Sequence, residues 1–184
     1  MENKFNTKSN NQNLEAMKMT NNTASVSQIQ SEGFTFLGKE YSSNAGESLD
    51  FGQIFGNFFE TGGYEKILPY QKNKDEHCVD SLVFYTKSAD YKTVYIGHIV
   101  DDIDEVPEGH VLEKFPASEF VVVSSNWQPT EGKSHEVANA GKSSLQLPTG
   151  YVADTSSPYI QVEKMYERPK KGHRLERWYP IKKQ

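Results

Sequence analysis

The feature of this chain that most constrains its fold is an order of local patterns that occurs twice. Residues 34–41 form an aromatic-rich strand pattern with Gly38 late in it. Residues 43–46 break the chain. A helix is expected from about Ser48, with Ser48 as N-cap and Asp50 in the first turn. Phe51, Ile54, Phe55, Phe58 and Phe59 recur at helical spacing, and Gly62-Gly63 ends the run. Residues 70–77 are polar and read as a loop. Two strands follow, about 79–87 and 92–100, joined by the short turn Ser88-Ala89-Asp90. The second round starts with the β-branched run Phe120-Val121-Val122-Val123. A loop over 128–133 and a helix over 134–146, with a weak apolar pattern, come next. Strands 159–165 and 174–181 close the chain, separated by residues 169–172. Each half reads β-α-β-β, which predicts an α+β fold with a groove between two units. Ligand sites favour such junctions.

Composition sets the domain limits. Apolar residues make up 35% of the 184 residues and the mean hydropathy is −0.72. Part of that deficit lies in residues 1–32, which are rich in Asn, Ser, Thr and Gln and lack a sustained apolar period. Such a stretch cannot bury enough surface to offset the entropy of ordering, so 1–32 is expected to be a disordered tail and 33–184 the folded domain. Met17 and Met19 lie in that tail, which leaves a later start open.

Several function classes are disfavoured. No run of 18 apolar residues exists, so no membrane helix is expected. No apolar leader opens the chain, and the lone Cys78 cannot form an internal disulfide; a reducing cytoplasm is the expected compartment. A net charge of −5 argues against direct nucleic-acid binding. The charge is uneven: Asp101, Asp102, Asp104, Glu105 and Glu108 are acidic, whereas Arg168, Lys170, Lys171, Arg174 and Arg177 are basic. Both runs read first as solvated loops. His77, His98, His110, His135 and His173 show no metal-ligand spacing, and no phosphate loop or nucleophile elbow is present. No metal and no cofactor are expected.

One residue stands out chemically. Glu163 sits inside the apolar strand-like run 159–165. A carboxylate buried in a sheet without a partner costs several kcal/mol. Either Glu163 faces water, or it lines a cavity that expects a cation or a donor. Strand alternation puts Met165 on the face of Glu163 and Tyr166 on the other.

Several further segments stand in a set order: Val94-Tyr95-Ile96-Gly97, Val106-Pro107-Glu108-Gly109, Phe115-Pro116-Ala117-Ser118 leading into Glu119-Phe120-Val121-Val122, Leu147-Pro148-Thr149-Gly150-Tyr151, Glu163, and Trp178-Tyr179-Pro180-Ile181-Lys182. Together they resemble the GyrI-like family, the effector-binding domain of AraC-type and drug-sensing MerR-type bacterial regulators. The resemblance spans about residues 34–182 and points to a stand-alone, integron-associated member. It implies a duplicated β-α-β-β domain of SHS2 type, with pseudo-twofold symmetry and a central ligand cleft. In the drug-sensing relatives the cleft is aromatic and holds an acid that meets cationic drugs. Glu163 matches that acid. The chain departs from the pattern two residues later, where Met165 stands in place of a frequent aromatic.

The resemblance implies a site of Glu163 and Met165 walled by Tyr85 and Tyr95 from the first hairpin, Trp178 from the last strand, and Phe55 or Phe59 from the first helix. Each wall residue has a plainer reading as core or as cover for a sheet edge. The expected function is a small-molecule binding domain for apolar or cationic organic compounds, without catalysis. Two alternatives stay open. One is a protein partner of DNA gyrase type, docked through the acidic segment 101–108. The other is a hydrolase of electrophilic natural products, in which Glu163 orients water and Tyr85 or Tyr95 polarises the leaving oxygen.

Overall fold

The computed structural model describes residues 23–44, 47–72, 78–86 and 91–184; the side chains of residues 78–80, 85–86 and 91–92 are outside the description. It is an α+β fold built on one antiparallel sheet. The strands are β1 (Ser25–Ser31), β2 (Phe34–Asn44), β3 (Cys78–Thr86), β4 (Tyr91–Val100), β5 (Val111–Phe115), β6 (Ser118–Ser124), β7 (Tyr151–Ala153), β8 (Tyr159–Arg168) and β9 (Gly172–Lys183). Helix α1 (Phe51–Glu60) and the short α2 (Gly63–Ile67) lie between β2 and β3, and α3 (Glu131–Ser143) lies between β6 and β8. The sheet order is β1-β6-β9-β8-β3-β4-β2-β5, with β7 added beside β9.

That order forces the sheet to curl. β5 and β6 are joined by Pro116-Ala117 alone, which spans ~11 Å at most. Along the sheet, β2, β4, β3, β8 and β9 stand between them, which in a flat sheet is roughly 29 Å at ~4.8 Å per strand. The ends therefore fold toward each other, and aromatic side chains fill the inside. Phe34 of β2 and Phe120 of β6 both reach Tyr159 of β8, at ring-centroid distances of 6.3 and 5.3 Å. Phe115 lies 5.8 Å from the same ring, and the Tyr159 hydroxyl donates to the Pro116 carbonyl at 2.6 Å. Where β2 pairs with β4, Gly38 stands opposite Gly97. A Cβ on Gly97 would stand 2.1 Å from the Leu37 carbonyl oxygen, so the two backbones approach closer than any side chain permits.

The helices cover the outer face. Ile54 and Phe58 of α1 are buried against Leu37, Leu82, Val94 and Ile96. Each such side chain contributes roughly 1.5–3 kcal/mol when fully buried. On α3, Val137 and Ala138 are the buried apolar residues, and Ala138 packs with Met165 and Leu175. No helix among the described residues is long and apolar enough to cross a membrane.

Several expectations are corrected. Residues 25–31 are not tail: they form β1, paired with β6 from Ser25–Ser124 to Ser31–Ser118. The strand is held by backbone bonds and by Ile29, which packs on the inner aromatic cluster, while Val26 is exposed. An apolar pair three residues apart falls on opposite faces of a strand and carries no period-2 pattern. The first helix is capped by Asp50 rather than Ser48, since Asp50 Oδ1 accepts from the Gln53 amide at 3.1 Å. The helix expected at 134 starts at 131, because Thr130 caps it through Lys133. Gly62 takes a left-handed φ of 66°, but Gly63 opens α2 rather than ending the helical region. Of the loop expected over 70–77, residues 73–77 lie outside the described residues.

Candidate functional site

Three strands place the site's floor. In the β8–β3 and β8–β9 ladders, Glu163 stands opposite Leu82 on one side and Arg177 on the other. Directly opposed residues point to one face, and here it is the outer, helix-bearing face. Gln161 and Met165 share that face by alternation. Phe51 and Phe55 of α1 overhang from the side of β3, with Phe51 5.8 Å from Phe84. Glu131, His135 and Asn139 of α3 follow at intervals of four, a single stripe one turn apart on a helix.

The space between α1 and α3 is a cavity of about 440 Å³. Phe51, Phe55, Leu82, Phe84, Ile160 and Met165 make its apolar wall. Glu131, His135, Gln161, Glu163 and Arg177 make its polar end. The volume lies in the range of small-molecule sites, which combine apolar walls with a few convergent polar groups.

Glu163 is only 8% exposed and is partnered from within the chain. Arg177 Nε donates to Glu163 Oε2 at 2.6 Å, and Gln161 Nε2 donates to the same oxygen at 3.1 Å. The Arg177 guanidinium also donates through Nη1 to Asn139 Oδ1 and through Nη2 to His135 Nδ1, the latter at 3.1 Å. An arginine cannot accept, so His135 Nδ1 carries the lone pair and its proton sits on Nε2. That Nε2 lies 3.7 Å from Glu131 Oε1. Tyr179 follows on β9; burial holds its phenol above the ordinary value, with the Arg177 guanidinium acting in the opposite direction. The phenol adds no charge at neutral pH.

Of the residues expected at a site, the structure brings together Glu163, Met165 and Phe55. Phe59 is 44% exposed on α1; it stacks on Phe55 at 6.3 Å but does not line the cavity. Tyr95 and Trp178 lie across the sheet from Glu163. Both belong to the aromatic filling of the curl, where Tyr95 is fully buried and Trp178 packs 5.7 Å from Phe120. Tyr95 therefore cannot polarise a leaving group beside Glu163. Tyr85 lies on β3 opposite Thr93, with its side chain outside the described residues. Arg177, Gln161, His135 and Glu131 are the polar residues that sequence reasoning missed as site members. The spacing Glu131, His135, Asn139 was a readable signal, since it interrupts the apolar pattern of α3 at one turn's interval.

Compared by sequence, the chain matches no described family and no curated protein. Compared by structure, it is similar to SAV2435 bound to tetraphenylphosphonium, with TM-score 0.60 and 11% identity over 86% of this chain and 94% of that one. An integron cassette protein from the mobile metagenome of Vibrio cholerae gives TM-score 0.52 and 14% identity, over 85% and 95% of the two chains. EcmrR in an EcmrR–DNA complex gives TM-score 0.54 and 11% identity, over 88% of this chain and 58% of EcmrR. At these identities the likeness is one of fold.

Proposed function

We propose that this chain is a small-molecule binding domain of the GyrI-like effector-binding type, and that it takes apolar or cationic organic compounds in the cavity between α1 and α3. The observation that carries this reading is the cavity itself: aromatic and aliphatic walls with one buried carboxylate, Glu163, at the base. The sheet order supports the pseudo-twofold arrangement expected of that type. From either side of the central β3–β8 pair it runs middle, last, first: β3-β4-β2 in one half and β8-β9-β6 in the other. The tetraphenylphosphonium held by SAV2435 supports a bulky aromatic guest, and the EcmrR–DNA complex supports a role in transcription regulation.

The test is thermal stabilisation by flat aromatic compounds. A guest at one hundred times its dissociation constant adds about 2.7 kcal/mol to stability. Ile160 is 44% exposed at the cavity rim, so Ile160→Trp should fold normally and close the entrance. A stabilisation present in the wild type and lost in Ile160→Trp supports this site. Undiminished stabilisation in the variant would place the guest elsewhere.

A further inference from the structure

Glu163 does not wait for a ligand's charge, because it already has a cation. Both of its described donors, Arg177 and Gln161, sit on Oε2. Its other oxygen, Oε1, receives no described donor and is not fully sealed, and Glu163 is a lining residue of the cavity. Arg177 is held on three sides, by Glu163, Asn139 and His135, and its side chain is 12% exposed. A guanidinium keeps its proton at any ordinary pH. The remaining acid of the cavity, Glu131, is 64% exposed, and water screens most of its attraction.

We propose that Arg177 is a specificity-determining residue of this cavity. By neutralising Glu163 it turns the site toward uncharged aromatic guests that donate one N–H or O–H to Glu163 Oε1, and away from permanent monocations. The inference rests on the reading of the cavity as a ligand site and refines the class of guest. A monocation at Oε1 must share the carboxylate with a guanidinium fixed 2.6 Å from Oε2, so it meets a pair of zero net charge. To meet the bare carboxylate it must expel Arg177, which strips Asn139 and His135 of their donor as well. A neutral donor needs neither step. Its apolar body is buried by Phe51, Phe55, Phe84 and Met165 whatever its charge.

Calorimetry with three probes of one shape separates charge from hydrogen bonding: acridone, N-methylacridone and N-methylacridinium. The wild type should bind acridone at least tenfold tighter than N-methylacridinium. Arg177→Met should tighten N-methylacridinium tenfold or more while moving N-methylacridone less than threefold. Equal shifts for the two methylated probes, with Ile160→Trp still blocking all three, would overturn the role of Arg177 and leave the cavity standing as the site. Absence of binding by every probe to the wild type would overturn both readings. Should Arg177→Met fail to fold, the double variant Glu163→Gln/Arg177→Met removes the pair without leaving a lone charge. Its ratio of cation to neutral affinity should stay within threefold of the wild type, and a tenfold loss would mean that Glu163 had been acting as a free anion.

Discussion

His98 illustrates how one buried side chain couples this fold to pH. It lies on the helix-bearing face of β4, 1% exposed, with the Tyr64 ring edge-on at 5.3 Å. Neither ring nitrogen meets a hydrogen-bond partner among the described residues. Burial disfavours the imidazolium and lowers the pKa from 6.5 to about 4. The unfolded chain takes up a proton near pH 6.5, whereas the native state resists until about 4. Stability carried by His98 is therefore complete above pH 6.5 and falls as the pH drops through that window, levelling off below about 4. The full effect is about 3 kcal/mol. Urea unfolding of the wild type and His98→Leu across this range checks it: the difference between the two should change by that amount. A constant difference would mean that His98 is protonated in the fold. At this scale the sequence was partly legible. Glu163 was recognisable as an acid out of place in an apolar strand, because burying a charge is costly wherever it occurs. Its partner was not. A two-residue turn at 170–171 would have set Trp178 opposite Glu163, whereas the observed turn of Pro169, Lys170 and Lys171 sets Arg177 there. Lys170 makes that turn with a left-handed φ of 69°. A slip of one residue flips every side chain to the other face.

Among the elements, the two larger helices and the two long hairpins follow from local chemistry. Phenylalanine spacing and a capping aspartate set α1, and Thr130 with its side chain on the Lys133 amide sets α3. The close approach of β2 and β4 depends on a pair of glycines. Gly97→Ala would put a methyl group 2.1 Å from the Leu37 carbonyl oxygen, and backbone cannot yield as a side-chain tip can. We expect a loss of about 1–3 kcal/mol, as for other overpacked sites. Gly109→Ala is the contrast, since a Cβ there meets nothing within 4 Å but the residue holds φ at 77°. It should cost only the left-handed backbone term, about 1 kcal/mol. Chemical denaturation of the two variants tests the order; equal losses would mean that the close strand approach relaxes freely. β1 and β7 are the elements that local reasoning could not see. Both are short additions along strands already in place, β1 on β6 and β7 on β9, and they rest mainly on a neighbour's free backbone groups, with Ile29 the apolar side chain that anchors β1.

Over the whole molecule, the decisive step is the curl. Phe115 sits where the two ends of the sheet meet, 3% exposed, with Phe34, Tyr95 and Tyr159 rings within 5.2 to 5.8 Å. Phe115→Ala should cost about 3–5 kcal/mol, as a large cavity does in a packed core. A loss under about 1 kcal/mol in urea unfolding would mean that the closure does not depend on this cluster. The curl also explains why Tyr95 and Trp178 are not cavity walls. In an open sheet their face would have been available to a guest, but here it is the inside of the closure. The cavity forms on the opposite face, between two helices that the strand order sets side by side. Amino-acid order alone determined the strand and helix patterns, because propensity, capping and apolar period act between residues a few positions apart. It also marked Glu163 by the cost of burying its charge. Only the tertiary structure decided which face became core, which side chain met that acid, and where the empty space lay, because register and closure are settled by contacts between residues far apart in the chain.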